Sequence, residues 1–286
     1  MTTTAFVMTG GASLGAVHVG MLEALYEIGV APQLIIGTSV GAINGAYVAS
    51  RPQTPDTARA LGEVWRGLKR SDVFPLHLVE GLLGFVGLKS HLVPSRALRR
   101  LAQIHFDVPR LEEYPIPLHV IATDVFTGDE VRLSEGDTVE AVLASAAIAG
   151  VFPPVKIGGR LLIDGGSSNF APISHAIELG ATTVYVLTSG SACALRRRPR
   201  GAVPMALHAS SLLVTRRLRT EVEALADAAD LIVIPPPCPV AVAPHDFSRS
   251  DELIRASLDT SRAFLESRRS GVRSLPFPSH QLRKGA

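Results

Sequence analysis

The chain has 286 residues, 47% of them apolar, with 28 Lys and Arg set against 26 Asp and Glu. It is long enough and apolar enough to bury a sizeable core, which excludes a disordered chain. A net charge of +2 gives no case for nucleic-acid binding, and two cysteines (Cys193 and Cys238) are too few for a disulfide framework and lack metal-ligand spacing, so they read as free thiols.

The first residues carry no basic segment, and no apolar run approaches the roughly 18–20 residues needed to span a bilayer. The expected location is cytoplasmic, with surface contact to lipid left open. Residues 5–8 read as a short buried strand, and Thr9-Gly10-Gly11-Ala12-Ser13 as a loop. Leu14, Val17, Met21, Leu22, Leu25 and Ile28 then recur at helical spacing, with Gly29 placed as a C-cap. Residues 34–36 form a second strand that runs into Gly37-Thr38-Ser39-Val40-Gly41 and a small-residue helix. This β-loop-α-β-turn-α opening points to a parallel sheet with right-handed crossovers.

Pro52 and Pro55 break the chain before a helix over 56–68 that carries Trp65. The stretch 76–88 is apolar, short and interrupted by glycine, either a flap over an apolar pocket or a buried connection. Residues 94–106 read as a basic amphipathic helix (Arg96, Arg99, Arg100). A strong strand over 118–123 ends at Asp124, and 130–133 pairs beside it. After a helix over 138–147 come two strands, 155–157 and 160–163, joined by Gly158-Gly159, a good hairpin turn. The second leads into Asp164-Gly165-Gly166. A helix over 172–179, a strand over 183–187, an exposed basic loop at 196–200, a long helix over 203–226 and a last strand over 231–234 follow. The C-terminal helix covers 251–267, and residues 270–286 read as a loose tail. No repeat or composition break divides the chain, so it is expected to form a single domain with its core at about 5–234.

A Gly-x-Ser-x-Gly sequence between strand and helix describes a sharp elbow that lifts a serine out of the sheet. Gly37 and Gly41 suit it because the turn leaves no room for a Cβ on either side. The following helix aims its free amides and positive dipole end at the place where an oxyanion would form. Gly10, Gly11 and Ala12, at the end of the first strand, supply further free amides on the same edge of a parallel sheet. The rival reading of that loop, a dinucleotide fingerprint, fails. Val17 replaces the next glycine, strand two ends in Gly37 rather than an acid, and no tyrosine has a lysine four residues on. For the base the chain offers Asp164 or a histidine. Among the histidines after Asp164, His175 and His208 fall on helices, and His245 lies in a loop that suits a triad; His280 sits in the tail. Asp164, at a strand end before two glycines, fits better. Asp124 reads as structural.

Four segments occur in order: Gly10-Gly11-Ala12-Ser13-Leu14-Gly15, Gly37-Thr38-Ser39-Val40-Gly41, Ala144-Ser145 through Pro153-Pro154, and Asp164-Gly165-Gly166. Together they resemble the patatin-like phospholipase family of serine lipid acyl hydrolases over about residues 5–234. The resemblance implies a three-layer α/β/α fold with a mainly parallel central sheet. It also implies a Ser39/Asp164 dyad without a catalytic histidine, an oxyanion hole at Gly10, Gly11 and Ala12, and a lipid or acyl-ester substrate. No cofactor or metal is expected. Acyl transfer with the same dyad and a non-catalytic acyl-binding protein on this fold are the alternatives. Two departures stand out: Ala12 replaces the family's third glycine, and Leu14 replaces its arginine, removing a positive charge beside the site. The proline expected near Gly150 is also absent. Ser145 reads as a helix-packing residue. Basic stretches at 196–200 and 268–284, with 76–88, are candidates for a peripheral membrane contact.

Overall fold

The computed structural model describes residues 2–75, 88, 90–190, 201–238 and 242–270. Eight strands form one sheet: β1 (Thr4–Met8), β2 (Leu34–Thr38), β3 (Leu118–Asp124), β4 (Glu130–Leu133), β5 (Val155–Ile157), β6 (Arg160–Asp164), β7 (Thr183–Leu187) and β8 (Asp230–Ile234). The pairing path is β5-β6-β3-β2-β1-β7-β8, with β4 also on β3. The five strands from β3 to β8 along this path are parallel; β4, β5 and β6 pair antiparallel. The sheet is therefore mainly parallel, as expected.

Period-two alternation sends the two faces of the sheet into separate cores. Phe6 and Met8 of β1 and Ile35 of β2 pack into one core. Ala5, Val7, Leu34 and Ile36 pack into the other. Helices α1 (Val17–Glu27), α2 (Val40–Ala49), α3 (Pro55–Gly67) and α9 (Ser250–Arg269) supply the first core with Met21, Leu22, Ala46, Leu61 and Leu253. Helices α7 (Ile173–Glu178) and α8 (Ala202–Ala224) supply the second with Ile173, Ala176 and Leu218. Three further helices lie among the described residues: α4 (Arg70–Val73), α5 (Arg96–His105) and α6 (Thr138–Ser145).

Most expected elements appear within two residues of their expected bounds. The first helix differs at its start, opening as a tight 3-10 turn over Ala12–Ala16 before becoming α-helical at Val17. The cause is local: Ala12 holds a left-handed backbone, φ 52°, which an α-helix cannot extend backwards. Helix α4 went unforeseen because a single turn has no periodicity to read. Cys238, expected as a free thiol, is disulfide-bonded; a bridge depends on how the fold brings distant segments together, which spacing does not report. Cys193, the basic loop at 196–200 and the tail beyond 270 lie outside the described residues, as does the flap candidate apart from Leu88, which is exposed. No helix among the described residues is long and apolar enough to cross a membrane.

The register of β3 positions the site. Strands β2 and β4 both pair Val120 and Ile121, while β4 and β6 both pair Ala122 and Thr123. Strand β4 must then take one edge of β3, and β2 and β6 share the other, meeting end to end. Thr38 of β2 is in register with Ile121, and Asp164 of β6 with the next residue, Ala122. The elbow that follows Thr38 therefore leaves the sheet at the rung beside Asp164.

Candidate active site

Ser39 sits between β2 and α2 with φ 55° and ψ −122°, a conformation that costs a non-glycine residue about 1–3 kcal/mol and persists only where its surroundings impose it. The surroundings are crowded. A Cβ at Gly41 would strike the Met8 carbonyl, and one at Gly37 would lie 2.5 Å from the Ala42 nitrogen. The strained backbone is also clamped from the neighbouring strand. The Ser39 amide donates to Ser145 Oγ at 2.8 Å, and that hydroxyl donates to the Ile121 carbonyl at 2.5 Å. Ser145 is fully buried at the end of α6. The packing role read for it understates a hydrogen bond that ties the elbow to β3.

Asp164 ends β6 and is 9% exposed. Its carboxyl accepts the Gly166 amide at 2.7 Å. Burial pushes its pKa up from 3.8 to about 6, against the smaller opposing pull of the Ser39 side chain and the Gly166 amide. Two contacts hold its backbone: the Asp164 amide donates to the Ala147 carbonyl at 2.9 Å, and Thr123 Oγ1 donates to its carbonyl at 2.9 Å.

None of the histidine candidates among the described residues hydrogen-bonds Ser39 or Asp164. His175 pairs with Glu130 at 3.0 Å and with Glu178 at 3.3 Å, and these acids raise its pKa. His208 lies on α8, and His245 is exposed in its loop. His280 is outside the described residues. Asp124 caps its own turn, accepting the Phe126 amide at 2.9 Å. Among the described residues no group of three or more His, Cys, Asp or Glu is arranged to hold a metal ion.

The first loop lies against Ser39: a Cβ placed on Gly10 would come 3.4 Å from Ser39 Cβ. The amides of Gly10, Gly11 and Ala12 take part in no hydrogen bond among the described residues, whereas the next one, Ser13, donates to the Pro244 carbonyl at 3.0 Å.

Ser39 and Ala12 line an apolar cleft. Gly10, Gly11 and Asp164 do not border it. Its walls come from α2 (Val40, Ile43), α3 (Leu61, Trp65), α5 (Leu98, Ala102) and the segment after α6 (Ile148, Phe152). Phe74 stacks on Phe152 at 5.4 Å, and Trp65 on Phe247 at 6.1 Å. No Asp, Glu, Lys or Arg lines it among the described residues. Sequence reading missed the polar network that sets this wall. Asn44, fully buried, donates to the Gly15 carbonyl at 3.0 Å and to His18 Nδ1 at 3.2 Å, and accepts Trp65 Nε1 at 3.0 Å. Burial lowers the His18 pKa to about 3, so it is neutral and can accept.

The family model for patatin-like phospholipase matches residues 6–177, more than half of the chain. The chain belongs to the patatin-like phospholipase family. Among its relatives is human patatin-like phospholipase domain-containing protein 6, 31% identical over 192 residues, which cover 66% of this chain and 13% of that protein. An uncharacterised NTE family protein of Mycobacterium tuberculosis is 32% identical over 166 residues, 58% of this chain and 27% of the relative. Lysophospholipase nte1 of Emericella nidulans is 27% identical over 192 residues, 65% and 12% of the two chains. The chain thus spans about a quarter or less of the length of these relatives. Human GIVD cytosolic phospholipase A2, solved with a fluorophosphonate inhibitor, aligns over 95% of this chain and 59% of its own at 12% identity and a TM-score of 0.49. VipD from Legionella pneumophila aligns over 93% and 67% at 14% identity and a TM-score of 0.46.

Proposed function

We propose that this chain is a serine hydrolase of long-chain acyl esters, working through an acyl-enzyme on Ser39 with Asp164 as the base. The observation that carries the reading is a serine held in a strained elbow beside a buried carboxyl whose pKa is pushed up to about 6, at the wall of a cleft with no Asp, Glu, Lys or Arg among its described lining residues. An ordinary aspartate, near pKa ~3.9, is too weak a base for this work at neutral pH. Raised to about 6, it is still ionised at pH 7 and accepts a proton more readily.

In the proposed sequence the acyl chain lies in the apolar cleft and brings the ester carbonyl to Ser39 Oγ. Asp164 takes the hydroxyl proton as Oγ attacks, and the Gly10, Gly11 and Ala12 amides hold the negative oxygen. Collapse breaks the bond to the alcohol, which leaves with the proton from Asp164. Water then attacks the acyl-enzyme, giving a proton to Asp164, and the second collapse returns it to Ser39 and frees the fatty acid. The names of the relatives, which include a lysophospholipase, support a lipid ester as substrate. A chain apolar enough to fill the cleft is held in aggregates or membranes in water, so a peripheral contact with lipid belongs to the proposal.

The test is covalent. A fluorophosphonate probe should label the wild-type chain at Ser39, and Ser39→Ala should abolish both labelling and turnover of p-nitrophenyl esters. A folded protein that retains lipid yet neither labels nor hydrolyses any ester would be a binding protein and would overturn the reading.

A further inference from the structure

We propose that Ser189, two residues beyond β7, is a positioning residue for the first loop, fixing which way the Gly10–Gly11 peptide faces. The inference rests on reading that loop as the oxyanion hole.

The carbonyl and amide of one trans peptide point in opposite directions. Whatever holds the Gly10 carbonyl therefore also aims the Gly11 amide. Glycines on both sides leave this peptide with little steric preference of its own, since φ and ψ vary freely without a Cβ. Turned over, it would present a carbonyl lone pair where the hole needs a donor.

Two buried hydroxyls hold it. Ser189 Oγ donates to the Gly10 carbonyl. Thr9 Oγ1 accepts the Ser189 amide at 2.9 Å and lies 3.3 Å from both Ser189 Oγ and the Gly10 carbonyl. The Ser189 amide donates to Thr9 Oγ1, Ser189 Oγ donates to the Gly10 carbonyl, and the one Thr9 hydroxyl proton goes either to Ser189 Oγ or to the same Gly10 carbonyl, so in both arrangements Ser189 holds that carbonyl. Thr9 and Ser189 are both fully buried, so these contacts do not exchange with water. The sheet sets the pair. Met8 and Leu187 are in register, and the Thr9 amide donates to the Leu187 carbonyl at 3.2 Å, so the residues following β1 and β7 leave the sheet side by side. Ser189 also packs on the Gly11 α-carbon so closely that a Cβ there, at φ 150°, would overlap its side chain.

The experiment compares wild type with Ser189→Ala and with Ser189→Cys, which is close in size and a weak donor. Active sites are titrated with a fluorophosphonate. Then kcat and KM are measured on a long-chain p-nitrophenyl ester, along with inhibition by a trifluoromethyl ketone of the same chain length and the Tm. Ser189→Ala should lower kcat per titrated site about 10- to 100-fold, short of the 10²–10³ lost when a donor is deleted outright. Binding of the ketone, whose adduct carries the oxyanion, should weaken by the same factor while KM and the inflection of the pH profile stay put. Ser189→Cys should fall between the two and carries the test alone if the alanine variant does not fold. A variant that loses Tm or active-site fraction but keeps wild-type kcat per site and ketone affinity overturns the positioning role and leaves the proposed function standing. A wild-type chain that is not labelled at Ser39 overturns both.

Discussion

Asp164→Asn should make this protein more stable and inactive, and the gain in stability should depend on pH. The folded state holds the Asp164 proton more tightly than the unfolded chain does, with a pKa of about 6 against 3.8. Below about pH 3 both states are protonated and the carboxyl costs nothing. As pH rises from there to 6 the unfolded chain releases its proton first, so stability falls; above 6 the penalty is constant. At ~1.36 kcal/mol per pH unit of difference, the ionised carboxyl costs the fold about 3 kcal/mol at neutral pH. Asparagine is never charged. Its Oδ1 can keep the 2.7 Å bond from the Gly166 amide, and its NH₂ can donate to Ser39 Oγ. Urea unfolding of both proteins from pH 3 to 8 should show curves that nearly coincide at the acid end. They should separate by roughly 2–3 kcal/mol above pH 6.5, with the variant the more stable. Ester turnover should fall at least ~10³-fold, and the wild-type rate should rise with pH to a plateau above about 6. Equal stability at every pH, or near wild-type turnover, would refute the account of a buried, costly base.

Two further outcomes follow from the geometry around Ser39. Ala12 holds φ 52°, a region that disfavours a Cβ; Ala12→Gly should relieve that strain, worth about 1–2 kcal/mol, against about 0.4–1 kcal/mol lost to the more flexible unfolded chain. Thermal unfolding should show a Tm equal to or slightly above wild type, and a clear loss would mean the Ala12 methyl packs at the cleft wall for more than the strain costs. Ile148 is half-buried on the cleft wall, so Ile148→Trp adds bulk without disturbing a fully packed position. The ratio of palmitate to butyrate ester hydrolysis should drop about tenfold or more, the 1–3 kcal/mol scale of overpacking. An unchanged ratio would place the acyl chain elsewhere.

The parts of this site that were legible in the sequence are those where backbone crowding dictates residue type. Gly37 and Gly41 announce the elbow because a Cβ at either would meet backbone atoms, and Asp164-Gly165-Gly166 announces a strand end for a similar reason: a Cβ on Gly165 would overlap the Ile121 carbonyl. The cleft was less visible. Its walls are built partly from α3 and α5, in the stretch 52–117 where the family motifs are silent, and apolar residues on a helix look alike whether they line a core or a cavity. Least visible were the hydroxyls that hold the machinery. Ser145 falls inside the third family segment but reads there as a helix-packing residue, and Ser189 is a small polar residue just past an ordinary strand that nothing local distinguishes. Their importance arises from register. Ser145 reaches the elbow because β2 and β6 meet along one edge of β3, and Ser189 reaches the first loop because β1 and β7 end level. Both contacts join segments more than 100 residues apart. A glycine motif therefore marks where the backbone must turn, while the serines that keep the turn in its working geometry come from whichever strand or helix end the sheet brings alongside.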